Sequence, residues 1–228
     1  MTPVDNISYF KNEDCFLNLN TMKKLIGIGL LFLLITGCST SKFKSSWTKM
    51  IAPETFTTKF ETSKGDFEVQ VERKLSPKAV DRFYQLVKTR YFDNILFYRV
   101  NPGFVAQFGG NDSIIYNAWN RYKIPDEPVL EGNAKGTLSF ARGGKESRGT
   151  DLFINLRDNH RLDTLHYNDV TGFPTFGKVT SGMEVLEALN DDYADTTMET
   201  LDLMYKDLKV FIKKYPKLDT IYSVELIK

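Results

Sequence analysis

The chain has 228 residues, of which 42% are hydrophobic, 26% charged and 13% aromatic; these values are ordinary for a globular protein and exclude disorder, collagen and a polytopic membrane protein. Its 30 Lys and Arg balance 29 Asp and Glu to a formal charge of +1, so no global field gathers nucleic acid or an acidic substrate. Any partner is therefore recognised locally. With 17 Phe and 11 Tyr to bury, one sizeable core with appendages is expected. The two cysteines, Cys15 and Cys38, cannot make a disulfide framework and direct attention to the N-terminus.

Residues 1–21 are polar and precede a better initiator, Met22-Lys23-Lys24, so they are expected to be an over-extended start without structure. The apolar run Leu25–Ile35 is far shorter than the roughly 20 residues of a membrane span. With its basic start and the small residues Thr36-Gly37 before Cys38, it reads as a signal peptide over 22–37. The ending Leu34-Ile35-Thr36-Gly37-Cys38 resembles a bacterial lipobox, which implies that Cys38 is lipidated and that its acyl chains hold the mature protein on a membrane. Ser39 rather than Asp follows, which by the same resemblance implies the outer membrane of a Gram-negative cell. Residues 38–55, rich in Ser, Thr and Lys and without periodicity, are expected to be a tether.

From Phe56 the pattern changes. Phe56–Thr62 and Phe67–Val71 alternate around the turn Ser63-Lys64-Gly65-Asp66, predicting a β-hairpin. Ser76-Pro77 offers an N-cap and a first-turn proline to a helix carrying Val80, Phe83, Tyr84 and Val87 through Lys88. Ile95–Val100 and Phe104–Phe108 predict two strands joined at Asn101-Pro102-Gly103. Gly136–Ala141, Asp151–Asn155, Thr175–Val179 and Tyr222–Ile227 are further strands, and Ser181–Leu189 has helical spacing. Residues 191–217 start acidic and end basic, with Leu201, Met204, Leu208 and Phe211 on one face, predicting an extra helix inserted before the last strand. Many strands with few helices argue for a mainly β, closed antiparallel barrel over 56–228.

Four blocks in order, Phe97–Gln107, Gly136–Arg142, Phe153–Asn155 and Phe176–Val185, resemble the cyclophilin signature. The resemblance implies an eight-stranded barrel capped by two helices, and peptidyl-prolyl cis-trans isomerase activity on proline-containing, unfolded or flexible polypeptides. It also implies a site: Arg99 and Gln107 for catalysis, with Phe104, Val105, Ala141, Arg142, Phe153, Leu162 and Phe173 binding substrate. The chemistry suits these residue types. An X-Pro bond lies behind a barrier of about 18–20 kcal/mol, and no bond has to break. Stabilising a twisted amide whose nitrogen has recovered its lone pair suffices, and a rigid, charged guanidinium is a fitting donor. Shortening about 100 s to about 10 ms asks for roughly 5.5 kcal/mol, within reach of one charged hydrogen bond and differential packing. Neither metal nor cofactor is required, and a monomer without nucleic-acid partners is expected.

The chain also departs from that pattern. Arg161 stands where the family has Trp or Phe at the pocket rim, which implies weak cyclosporin binding. Asp151 and Leu152 replace a glutamine and a phenylalanine, so a more charged groove flank is expected. Phe173 falls within an inserted loop, 164–174, and Phe108 interrupts the usual Gln-Gly-Gly; activity is expected to be retained but reduced. His160, Asp163, His166 and Asp169 recur every third residue, but a solvated polar loop is the favoured reading over a metal site. The rival function is a peptide-binding module with little turnover, motivated by Arg161, Asp151 and the 191–217 segment.

Overall fold

The computed structural model describes residues 43–227. The readings for residues 1–21, the signal segment and Cys38 lie outside these residues. Strands β1 (Thr55–Thr62) and β2 (Gly65–Glu72) form the expected hairpin, burying alternate residues Phe56, Thr58 and Phe60 on one strand and Phe67, Val69 and Val71 on the other. Phe60 lies opposite Phe67 and their rings stack at 4.4 Å. Next come β3 (Ile95–Val100), β4 (Val105–Phe108), β5 (Thr137–Phe140), β6 (Leu152–Asn155), the small hairpin β7 (His166–Tyr167) and β8 (Val170–Thr171), β9 (Thr175–Ser181) and β10 (Thr220–Leu226). Eight of them close a barrel in the order β1-β10-β3-β4-β6-β5-β9-β2. Its neighbouring strands are antiparallel throughout.

Inside, Phe60, Phe67, Phe97, Phe108, Phe140 and Phe176 are fully buried. Phe108, which interrupts the family's pattern, is core: its ring meets those of Phe60 at 5.8 Å and Phe97 at 5.6 Å edge-on. Gly109 then turns the chain with φ +115°, and a Cβ there would lie 2.2 Å from the Thr150 carbonyl oxygen. Helix α1 (Pro77–Lys88) packs Val80, Phe83 and Val87 against the barrel core, and a short helix over Met183–Glu187 adds Leu186. Among the described residues no helix is long and apolar enough to cross a membrane.

Several local readings change. Ser76 does not cap α1; Glu127 does, accepting from the Lys78 N–H at 2.7 Å and the Ala79 N–H at 3.2 Å, while the Ser76 hydroxyl donates to the same carboxylate. A carboxylate satisfies orphan donors and meets the positive end of the helix dipole, whereas the serine backbone (φ −160°, ψ 80°) turns its hydroxyl elsewhere. Helix α2 (Ser113–Asn120), capped by Asp112 through the Ile114 N–H, is not among the expected elements: its core-facing apolar residues are only Ile115 and the buried Trp119, one turn apart, and Ile114 is 80% exposed. The predicted helix Ser181–Leu189 is shorter, because β9 runs to Ser181 and Gly182 turns at φ +81° before it begins.

The tether ends earlier than expected. Ser45–Lys49 form a 3-10 turn, and the rings of Phe43 and Trp47 pack on buried Trp119 at 5.1 and 6.3 Å. The Gln85 side chain holds the Thr48 and Met50 carbonyls, and Asp81 accepts from the Ala52 N–H. Aromatic burial and these bonds outweigh the local bias of Ser and Lys toward solvent.

Residues 191–217 are not one helix either. A 3-10 turn (Thr196–Thr200) leads into two short helices, Leu201–Lys206 and Leu208–Lys214, broken where Asp207 goes extended and caps the second through the Val210 N–H. Met204, Phe211 and Tyr215 bury against Leu96 and Tyr98. This explains the unbroken apolar run Ile95–Tyr98, whose two faces are covered by the barrel core and by the insertion respectively.

Candidate active site

The site lies on the outer face of the barrel. Along β4, Ala106 and Phe108 belong to the core, while Val105 and Gln107 alternate to the other side. Across β6 the partner of Gln107 is Phe153, and across β3 it is Arg99. A register irregularity between Phe97 and Arg99 takes Arg99 off the face that Phe97 shares with the core, as a bulge does when it re-aims a side chain. Arg99, Gln107 and Phe153 therefore form one row across three strands. In it the Arg99 guanidinium donates to Gln107 Oε1 at 3.3 Å.

The remaining walls come from loops. Phe104 closes the turn after β3, its N–H bonded to the Asn101 carbonyl, and its ring lies 5.1 Å from the Arg99 guanidinium. Leu162, on a single helical turn (Arg161–Thr164), clusters with Val105 and Phe153; Phe104, Ala141 and Phe173 pack around them. A chain of buried amides anchors this wall. Asn159 donates to the Phe104 carbonyl at 2.9 Å and to Asn155 at 2.8 Å, Asn155 donates to Asn133, and Asn133 holds Asp163 and the Phe173 carbonyl. These amides went unremarked because an isolated Asn in a loop sequence carries no signal of its partners.

All nine residues singled out, Arg99, Phe104, Val105, Gln107, Ala141, Arg142, Phe153, Leu162 and Phe173, line one cavity of about 250 Å³, joined by Arg161, Leu165 and Met198. Phe173, from the inserted loop, sits edge-on to Phe153 at 5.9 Å. Arg142 supports it from behind, with its guanidinium 4.9 Å from the Phe173 ring and its charge paired with Asp126 at 2.8 Å.

Asp151 is a correction. Its carboxyl does not charge the groove flank; it accepts hydrogen bonds from the hydroxyls of Tyr98 at 3.0 Å, Tyr205 at 3.1 Å and Tyr116 at 3.2 Å. Burial pushes its pKa up, against the lowering effect of the three hydroxyls, and burial likewise pushes up those of Tyr98 and Tyr205. Leu152 lies in the core. Unforeseen, too, was Asp195 of the insertion, whose carboxylate meets the Arg99 Nε at 2.7 Å; that bond holds its pKa below the usual carboxylate range.

In the His160–Asp169 loop, His160 Nδ1 lies 3.5 Å from Asp163, which also accepts from Asn133, while His166 pairs with Thr171 across the β7–β8 hairpin. Among the described residues no three His, Cys, Asp or Glu come close enough to hold a metal.

The arrangement is a small apolar pocket with a fixed cationic donor and an amide at its edge, a shape that accepts a compact apolar ring beside a polar backbone. The family model for cyclophilin type peptidyl-prolyl cis-trans isomerases matches residues 57–210. Peptidyl-prolyl cis-trans isomerase A of Dickeya dadantii is 34% identical over 136 residues, 57% of this chain and 68% of that protein. A peptidyl-prolyl cis-trans isomerase of Arabidopsis thaliana is 34% identical over 144 residues, 60% of this chain and 82% of that one. A Cryptosporidium parvum cyclophilin crystal structure shares the fold, with a TM-score of 0.56 at 18% identity over 76% of this chain and 98% of that chain. The chain belongs to the cyclophilin-type peptidyl-prolyl cis-trans isomerase family.

Proposed function

We propose that the protein rotates X-Pro bonds in flexible segments of exported polypeptides while lipid on Cys38 holds it at a bacterial membrane. The observation that carries the catalytic part is the row Arg99, Gln107 and Phe153 beside the apolar pocket of Phe104, Val105 and Leu162. The pocket takes the proline ring, and Gln107 offers its amide to the substrate backbone. Arg99 donates to the prolyl nitrogen once the amide twists and its lone pair returns. That bond is stronger in the twisted state than in either planar isomer, so it lowers the barrier instead of merely tightening binding. The anchoring part is supported by the sequence Leu34–Cys38 alone.

Isomerisation of a short X-Pro peptide, followed by NMR exchange with the purified protein and its Arg99→Ala variant, tests the first part. One charged hydrogen bond is worth about 1.5–3 kcal/mol, so the variant should lose roughly ten- to a hundredfold in kcat/KM while keeping its fold. Peptide binding without turnover by the wild-type protein would replace this reading with that of a binding module. For the second part, metabolic labelling with a palmitate analogue should mark the wild-type chain and spare Cys38→Ala; equal labelling of both would sink the anchor.

A further inference from the structure

The catalytic arginine is held from two sides. Its Nη1 donates to Gln107 within the barrel, and its Nε donates to Asp195 at 2.7 Å, a residue 96 positions away in the insertion. The second oxygen of the same carboxylate accepts from Asn101 Nδ2 at 3.1 Å, and Asn101 is itself fixed because its Oδ1 accepts from the Gly103 N–H. Among the described residues Nη2 has no protein partner, so the plane is set while one donor edge stays available.

The insertion that carries Asp195 is firmly seated. Tyr205 stacks on Tyr116 at 4.0 Å and bonds to Asp151, and Met204 and Phe211 are buried. Immediately before Asp195 the chain adopts a left-handed conformation at Ala194, φ +43°, which a non-glycine residue adopts only when its surroundings enforce it. The carboxylate is thus delivered from a packed element through a strained turn.

We infer that Asp195 is a positioning residue for Arg99, fixing the guanidinium plane so that its free edge addresses the twisted prolyl amide. The inference rests on the isomerase reading above. An arginine side chain has several rotatable bonds, and clamping it at both Nε and Nη1 removes that freedom before the substrate arrives. The carboxylate also opposes the guanidinium charge. Yet the Asp195 side chain is 55% exposed against 19% for Arg99, so solvent screens this opposition and orientation dominates.

The test measures kcat and KM on one X-Pro peptide for the full chain, Asp195→Ala, Asp195→Asn, Arg99→Ala and the double variant Arg99→Ala/Asp195→Ala. Asp195→Ala should lower kcat about five- to tenfold with KM changed less than about twofold. Asp195→Asn, whose amide oxygen still accepts from Nε, should recover most of the loss. In the Arg99→Ala background, Asp195→Ala should cost nothing further, because the clamp has nothing left to hold. A merely structural role would instead give additive losses and no rescue by Asn, and would overturn the inference. Wild-type rates in Asp195→Ala, or faster turnover in both Asp195 variants, would overturn it equally, the latter by making Asp195 a damper. Absence of catalysis in the wild-type chain would bring down the isomerase reading itself, and this inference with it.

Discussion

The guanidinium of Arg161 lies 4.8 Å from the centroid of the Phe104 ring, at the rim where the family's pattern has an aromatic residue. Its cationic face thus stands in place of an aromatic one and covers the Phe104 ring. The charges of Arg99 and Arg142 are met by Asp195 and Asp126, whereas among the described residues no carboxylate pairs with Arg161.

That imbalance predicts a charge preference in the substrate. Peptides with Glu beside the X-Pro unit should be turned over about two- to fivefold more efficiently than their Lys counterparts at low salt, the range of an exposed ion pair. The preference should shrink at 1 M salt and vanish in Arg161→Gln. Equal kcat/KM for the two peptides at low salt would contradict it.

Asp151 predicts a pH dependence of stability. Burial raises its pKa in the folded protein above that of the unfolded chain. Folding therefore binds protons at this site, and its contribution is fully present below about pH 4, the unfolded value, and is lost as pH rises through the folded one. Asp81, Asp192, Asp195 and Asp202 are shifted downward and act in the opposite sense, so the wild type alone does not report it. Its difference from Asp151→Asn does: wild-type Tm minus variant Tm should become more negative between pH 4 and 7, by roughly 2–4 °C for each kcal/mol. A difference that is flat with pH, or that grows more positive, would remove Asp151 as a proton-linked site.

The N-terminal dock predicts a stability loss that spares catalysis. Phe43 and Trp47 are half-buried over Trp119, which is fully buried. Truncating both to Ala should remove about 2–4 kcal/mol of packing and lower Tm by roughly 4–15 °C. Trp119 fluorescence should shift to the red as water reaches the indole, and kcat should stay unchanged because neither residue lines the pocket. An unaltered Tm would mean that the segment beyond Lys42 is a free tether after all.

How much of this was legible follows from the range over which each feature acts. Alternation in Phe56–Thr62 and Phe67–Val71, and helical spacing in Pro77–Lys88, are local properties, and each element formed where its period placed it. Seven of the nine pocket residues lie in the ordered motif blocks, Leu162 and Phe173 outside them, and strand register then brings Arg99, Gln107 and Phe153 into one row. What the tertiary structure alone decided are contacts between distant groups that compete with local preference. Glu127 displaced Ser76 as the α1 cap, three tyrosines drew Asp151 away from the groove, Trp119 captured Phe43 and Trp47, and Asp195 reached Arg99. Polar partners of this kind have no periodicity. They are chosen by whichever buried donor or charge the closed barrel leaves unsatisfied, and that becomes definite only once the chain has folded around it.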